Sequence, residues 1–221
     1  MKCLVTAGPT YESLDQVRRL TNLSTGRLGS LLANFLVARG HDVTLLLGHY
    51  ATHRGEQRAQ TVEPFTTTAD LGERLARHAG AAVGAVFHAA AVSDFTFGKI
   101  FARDAEGALT EVTAGKISTR QGALLAELLP TPKLIGGLRG QFPQARIVGW
   151  KYEVDGARAH VLELARPQIS ENHTTACVAN GPAYGFGFGL VSQSVAATHF
   201  SDLNELFAAL ADDHAETRRS M

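Results

Sequence analysis

The sequence is short of several things, and each shortage excludes a class of protein. It has two cysteines in 221 residues, Cys3 and Cys177. Each lies inside an apolar run that reads as a strand. Two such thiols make neither a disulfide framework nor a zinc site, and they point to a reducing compartment, the cytoplasm. Neither charge is in excess: Lys+Arg and Asp+Glu are both 21, for a formal net charge of zero. A balanced chain has no overall field to draw in nucleic acid or an acidic membrane, so an anionic ligand must be held by a local site. No apolar run is long enough to cross a bilayer. The one at the N-terminus is too short for a secretory signal and leads straight into a motif. Neither repeats nor low-complexity linkers interrupt the chain.

What is present is an ordinary globular composition, 45% hydrophobic and 19% charged, with 22 glycines. Lys2–Ala7 reads as a buried first strand closed by Gly8-Pro9. A polar loop follows to about Ser24. Leu28, Leu31, Leu32, Phe35 and Leu36 then fall on one helical face, with Ser24 or Thr25 as cap and Gly40 as the stop. Asp42–Leu47 is a second strand, which makes a βαβ unit with a right-handed crossover. The alternation continues with a strand over Thr61–Phe65. A helix over Thr67–Ala79 has Thr67 and Asp70 at capping-box spacing. Further strands are expected at Ala82–Ala89, Ile147–Tyr152 and Ala176–Ala179, and helices at Pro132–Arg139 and Ala157–Ala165. Leu190–Ser192 and Ala196–Phe200 can pair as a hairpin. Ser201 caps a last helix, and the tail from Glu216 should fray. Residues 95–130 break the rhythm and read as an inserted β arm with a mobile loop. The expected fold is one α/β domain over 1–221, a doubly wound, mostly parallel Rossmann-like three-layer sheet with that arm inserted. In such sheets ligands bind beyond the carboxyl ends of the strands.

Three segments on those loops carry possible chemistry. Ser24-Thr25-Gly26 opens a helix, where free amides and the helix dipole favour an anion, and Gly26 and Gly29 allow close approach. From the residues alone, a phosphate site and a simple capped helix stand level. Ala89-Ala90-Ala91 leaves room for a flat ring, with Asp94 as acceptor for a base or an amine; a tight turn with a solvated Asp is the plain alternative. Lys116, on a loop with Gly115, can close over phosphates as a point charge, or can be a surface lysine. His49 and His53 are four apart but lack a third ligand, so no metal site is assigned. The dinucleotide fingerprint and the P-loop are both absent.

In this order, the motifs resemble phosphopantothenate–cysteine ligase (phosphopantothenoylcysteine synthetase). They are Thr6-Ala7-Gly8-Pro9-Thr10, Asp15-Gln16-Val17-Arg18, Thr21-Asn22-Leu23-Ser24-Thr25-Gly26, Ala91-Val92-Ser93-Asp94-Phe95, Gly115-Lys116-Ile117-Ser118, Thr131-Pro132-Lys133-Leu134-Ile135 and Val148-Gly149-Trp150-Lys151. The last of these is similar to the stand-alone bacterial type. The resemblance implies that a nucleoside triphosphate, CTP or ATP with Mg2+, activates the carboxylate of phosphopantothenate, and that cysteine attacks the acyl-nucleotidylate. By the same resemblance Asn22 holds the acyl intermediate and Lys116 closes over the phosphates. Arg18 meets the substrate phosphate at a homodimer interface formed by the arm. Gly8, Ser24, Gly26, Ala89, Ala90, Asp94, Pro132 and Trp150 contact the nucleotide. Residues 102–120 form a lid. Counting back from Asn180, Pro167 and Glu171 replace two phosphate-binding lysines of the family. That departure leaves a second function open, a paralogue that binds a nucleotide or pantetheine-like ligand without catalysis.

Overall fold

Short, continuous apolar runs make the centre of the molecule a sheet buried on both faces. A computed structural model of the chain describes residues 1–118, 120, 122–193 and 195–212. Six parallel strands are β1 (Lys2–Ala7), β4 (Asp42–Gly48), β5 (Thr61–Phe65), β6 (Val83–His88), β10 (Arg146–Tyr152) and β11 (Ala176–Asn180). Antiparallel β12 (Phe188–Ser192) and β13 (Thr198–Phe200) extend one edge, giving the order β13-β12-β11-β10-β6-β1-β4-β5. The expected hairpin near the C-terminus is therefore present.

Side-chain alternation along the strands divides the core into layers. Cys3, Val5 and Ala7 face α1 (Arg27–Ala38) and α5 (Leu203–Asp212). Leu4, Leu46, Val86 and Ile147 face α2 (Thr68–His78) and α3 (Leu134–Gln141). Cys177 and Ala179 meet α4 (Arg158–Glu171) on that same side. The fold is the expected three-layer, doubly wound sheet. The chain runs from β1 to β4 on one side and returns through α2 to β6 on the other, so its switch point lies between β1 and β6.

Residues 95–130 form a separate antiparallel sheet of β7 (Phe95–Arg103), β8 (Leu109–Glu111) and β9 (Ala123–Pro130), ordered β8-β7-β9. It leaves Phe95, Leu109, Leu125, Leu128 and Leu129 exposed.

Four local expectations change. The polar loop before Ser24 contains a hairpin, β2 (Tyr11–Ser13) with β3 (Arg19–Thr21). Three-residue strands carry too little periodicity to be seen in sequence. The N-cap of α1 is Gly26 at φ 74°, not Ser24 or Thr25, although Thr25 Oγ1 accepts from the Arg27 amide at 3.2 Å. Only glycine takes that φ freely. The cap of α5 is Asp202, whose Oδ1 accepts from the Asn204 amide at 2.7 Å, one residue beyond Ser201. Finally, α4 does not stop at Ala165. It passes through Pro167 to Glu171 because Val161, Ala165 and Ile169 form one buried stripe spanning the proline. Packing outweighs the lost backbone bond. The expected frayed tail from Glu216 lies outside the described residues.

Pro167 is exposed and has no packing role. Pro167→Ala should therefore restore a helical hydrogen bond and stabilise the protein by about 1–3 kcal/mol. Urea unfolding checks this; an unchanged or lowered midpoint would show that the proline fits α4 without cost.

Candidate functional site

The pairing of β1 with β6 does not end where the strands end. The Ala89 amide donates to Thr6 O at 3.1 Å, Ala91 to Gly8 O at 2.9 Å, and Thr10 to Ala91 O at 3.1 Å. The two loops of the switch point are thus zipped together. Asn22 lies across this zipper, its Nδ2 donating to the carbonyls of Ala91 and Val92, both at 3.2 Å. Its Oδ1 receives no bond from any described residue, and Asn22 is exposed.

On the α3 and α4 side of the zipper is a cavity of about 140 Å3. Its walls include His88, Ala90, Ser93, Asp94, Pro132, Ile135 and Gln168. Three of the expected nucleotide contacts, Ala90, Asp94 and Pro132, therefore come together. Thr131 and Ser93 fix the wall: Ser93 N donates to Thr10 Oγ1 at 2.8 Å, and Thr131 Oγ1 donates to the Ser93 carbonyl. Asp94 is at the exposed mouth, paired with Lys133. A larger depression of about 610 Å3 at the end of β11 is lined by none of the expected residues.

The other expected residues are placed differently. Ala89 is not on the cavity wall; its amide is tied to Thr6, and Ala90 faces the cavity instead. Trp150 borders the cavity, but its indole packs with the α1 and α5 cluster. Strand alternation is the reason: a Cβ on Gly149 would point at Ile135 and Gln168, so Trp150 must point away. Gly8 and Gly26 meet at the start of α1, where a Cβ on Gly26 would be 3.4 Å from Gly8 Cα. Ser24 sits in the turn before them, its amide donating to Asn22 O at 2.9 Å. This glycine cradle and the cavity flank Asn22.

Arg18 and Lys116 belong to a third cluster, organised by Asp15. Asp15 is all but buried and accepts from the amides of Val17 at 2.9 Å, Arg18 at 2.8 Å and Ile117 at 3.1 Å. Its ion pair with Arg18, helped by those amides, holds its carboxyl well below the usual carboxylate range. Arg18 also donates to Ile117 O at 2.7 Å, and Gln16 N to Gly115 O at 3.0 Å. The tip of the expected lid is thus fastened to the β2–β3 hairpin. Lys116 stands exposed on it without an ion pair among the described residues, while the Arg18 guanidinium is committed to Asp15 and the loop.

The structure does not bring Pro167 and Glu171, which the count from Asn180 put at the family's phosphate-binding positions, to the cavity. Both are exposed, and neither lines the cavity. The inward residue is Gln168, which donates to Trp150 O at 3.3 Å and accepts from Cys177 Sγ at 3.3 Å. One turn on, Asn172 Nδ2 donates to Gln168 O at 2.7 Å. This face of α4 carries amides, not a proline and an acid.

Sequence reasoning passed over His88. It is 7% exposed, with Nδ1 2.9 Å from Thr6 Oγ1. Burial pushes its pKa down from 6.5 to about 4. A buried His at the end of an apolar strand beside a small-residue turn was the available signal.

A scan against family models matches residues 1–206 to the DNA/pantothenate metabolism flavoprotein C-terminal domain. The coenzyme A biosynthesis bifunctional protein CoaBC of Mycobacterium bovis is 33% identical over 193 residues, 85% of this chain and 43% of that protein. The chain thus spans less than half the length of this curated relative. A solved structure from Streptococcus pneumoniae, described as the DNA/pantothenate metabolism flavoprotein, superposes with TM-score 0.84 at 24% identity, covering 98% of this chain and 99% of that one. A mutant Cab2 in complex with phosphopantothenate-cysteine superposes with TM-score 0.71 at 19% identity, over 99% of this chain and 88% of that one. These structural likenesses establish the fold.

Between pH 6.5 and about 4 the unfolded chain takes a proton on His88 that the folded chain refuses, so stability rises with pH across this window. The full cost at the acid end is about 3 kcal/mol. Asp15 acts lower: its depressed carboxyl stabilises the fold above the ordinary carboxylate pKa and loses that effect as pH falls further. His88→Gln should flatten the difference in stability between pH 7 and pH 4, read by urea unfolding at each pH. A slope equal to the wild type's would show that His88 is not held neutral.

Proposed function

The chain belongs to the family of the DNA/pantothenate metabolism flavoprotein C-terminal domain, and on that premise we propose that it joins 4'-phosphopantothenate to cysteine in coenzyme A biosynthesis. The observation that carries the reading is the meeting, at the switch point, of Asn22, the glycine cradle and a ring-sized cavity. The CoaBC relatives named for coenzyme A biosynthesis support it. In the reaction, a carboxylate oxygen of phosphopantothenate attacks the α-phosphorus of the nucleotide and pyrophosphate leaves. The cysteine amine then attacks the acyl carbon, the nucleoside monophosphate leaves, and the amine proton is lost to solvent. Holding the reactants in line and neutralising charge account for most of the rate.

The residues divide this work. The cavity takes the base. At about 140 Å3 it matches one six-membered ring, since a void of roughly 150 Å3 holds a benzene. Asn22 presents its free Oδ1 beside the reacting carboxyl group while the zipper fixes its Nδ2. Lys116 reaches the phosphates from the lid loop, and Arg18, if released from Asp15, meets the substrate phosphate. No group of three or more His, Cys, Asp or Glu suited to a metal occurs among the described residues. A magnesium ion, if carried in on the triphosphate, would need few protein ligands, and Asp94 at the exposed mouth would be the nearest carboxylate on the cavity wall. The amides on α4 favour a second reading, a paralogue that binds the nucleotide without turnover.

Pyrophosphate release with phosphopantothenate, cysteine and either CTP or ATP decides between them. Sustained release that requires all three substrates is expected, faster with CTP, with no more than one equivalent when cysteine is left out; nucleotide binding without any release establishes the paralogue. Asn22→Asp and Lys116→Ala should each lower the rate by about 10²–10³ with the fold intact by circular dichroism. Undiminished rates would show that these roles do not hold here.

We further infer a homodimer through the arm, whose Leu125, Leu128 and Leu129 are too exposed for a free sheet. Light scattering should give twice the chain mass at micromolar concentration, and Leu128→Glu should give the monomer. A wild-type monomer would refute the arm as an interface.

A further inference from the structure

We infer that His88 is a specificity-determining residue, whose Nε2–H donates a hydrogen bond to a ring acceptor of the nucleobase bound in the cavity. The inference rests on the reading of that cavity as the base site, and deepens it. Thr6 is fully buried, and its Oγ1 accepts from the Ala90 amide at 3.1 Å. A buried hydroxyl proton needs an acceptor. The one that the structure offers is His88 Nδ1, 2.9 Å away. Thr6 therefore donates, Nδ1 is the bare nitrogen, and the ring proton is on Nε2. That second nitrogen has no partner among the described residues, and His88 lines the cavity.

The neighbouring polar side chains are already committed. Gln168 donates to Trp150 O and accepts from Cys177 Sγ. Ser93 Oγ donates to Phe95 O at 2.8 Å. Lys133 and Asp94 pair at the exposed mouth. Beyond these bonds the described residues leave three side-chain donors here: His88 Nε2–H, the second N–H of Gln168 Nε2 and the indole N–H of Trp150, which is turned to the α1 and α5 cluster; of these, only the His88 donor is on a ring whose other nitrogen is bonded to a buried hydroxyl. The wall otherwise presents Ala90, Val92, Pro132, Leu134 and Ile135, which fix a flat ring by shape and not by chemistry. A donor held in one direction by Thr6 selects a ring with an in-plane carbonyl oxygen or bare ring nitrogen at that edge.

The test titrates wild type, His88→Leu and His88→Gln with CTP and, as a probe without a base, inorganic tripolyphosphate. His88→Leu is expected to weaken CTP about tenfold, the worth of one neutral hydrogen bond, and to leave tripolyphosphate unchanged. His88→Gln, which keeps both an acceptor for Thr6 and a donor, should recover most of the loss. In the wild type, proton–nitrogen correlation spectra should place the ring proton on Nε2 and show its signal move with CTP but not with tripolyphosphate. Equal CTP affinity in wild type and His88→Leu, or an Nε2 signal that CTP does not move, overturns the inference while the nucleotide reading stands. A wild type that fails to bind CTP more tightly than tripolyphosphate removes the base site itself, and the inference with it. If His88→Leu does not fold, the wild-type spectra decide alone.

Discussion

The backbone ladder that carries β1 and β6 past their ends is the constraint on which the site depends. In most open parallel sheets the strands diverge at the switch point and leave a crevice between them. Here Thr6, Gly8, Ala89, Ala91 and Thr10 keep exchanging hydrogen bonds after the strands stop. The crevice is closed at its centre and opens to either side, with the glycine cradle on the α1 face and the cavity on the α3 and α4 face. A ligand reaching both must pass over the zipper, where Asn22 sits. Asn22 is thereby placed by backbone carbonyls, which cannot change rotamer, and not by the packing of side chains.

A second constraint ties the inserted arm to this centre. Asp15 satisfies three amides and an arginine from two separate segments. The segments it joins are nearly a hundred residues apart, the β2–β3 hairpin and the loop of Lys116. Charge-assisted bonds to one carboxylate, the stronger kind, therefore hold the loop of Lys116 against the hairpin. On the proposed roles, a substrate anion that competed for Arg18 would weaken that hold.

Much of this was legible in the sequence, and the limits have physical causes. The parallel strands β1, β4, β6, β10 and β11 were visible because each is a short apolar run between turn signals, and α2 because Thr67 accepts from the Asp70 amide at 3.2 Å as the spacing predicts. Ala90, Asp94 and Pro132 could be assigned to one site because loops at strand ends converge whatever their intervening length. Direction was harder. Trp150 does border the cavity, but that its indole packs against the α1 and α5 cluster could not be read in advance, since a fully buried strand has no polar alternation to show which way a residue points. Pro167 and Glu171 were chosen by counting from Asn180, and a count does not show direction: one residue on a helix turns a side chain by about 100°, here from Gln168 at the cavity to Pro167 in solvent. The Thr6–His88 bond joins residues 82 apart and has no sequence signature.

The correction on α4 changes the electrostatics of the proposed reaction. An acid facing the phosphates would oppose a triphosphate directly, but Gln168 and Asn172 are neutral and face inward, while Glu171 is in water where its field is screened. The cost to the nucleotide is then the absence of cations on this wall, not the presence of an anion. The cations that remain are Lys133 at the mouth and Lys116 on the lid, and Lys133 is paired with Asp94. A divalent ion carried by a triphosphate would offer Asp94 another partner, and Lys133 would then be free for a phosphate oxygen. In a chain with no net charge to attract an anion from a distance, a cavity walled by alanine, proline and isoleucine depends on such cations at its rim to hold a polyanion.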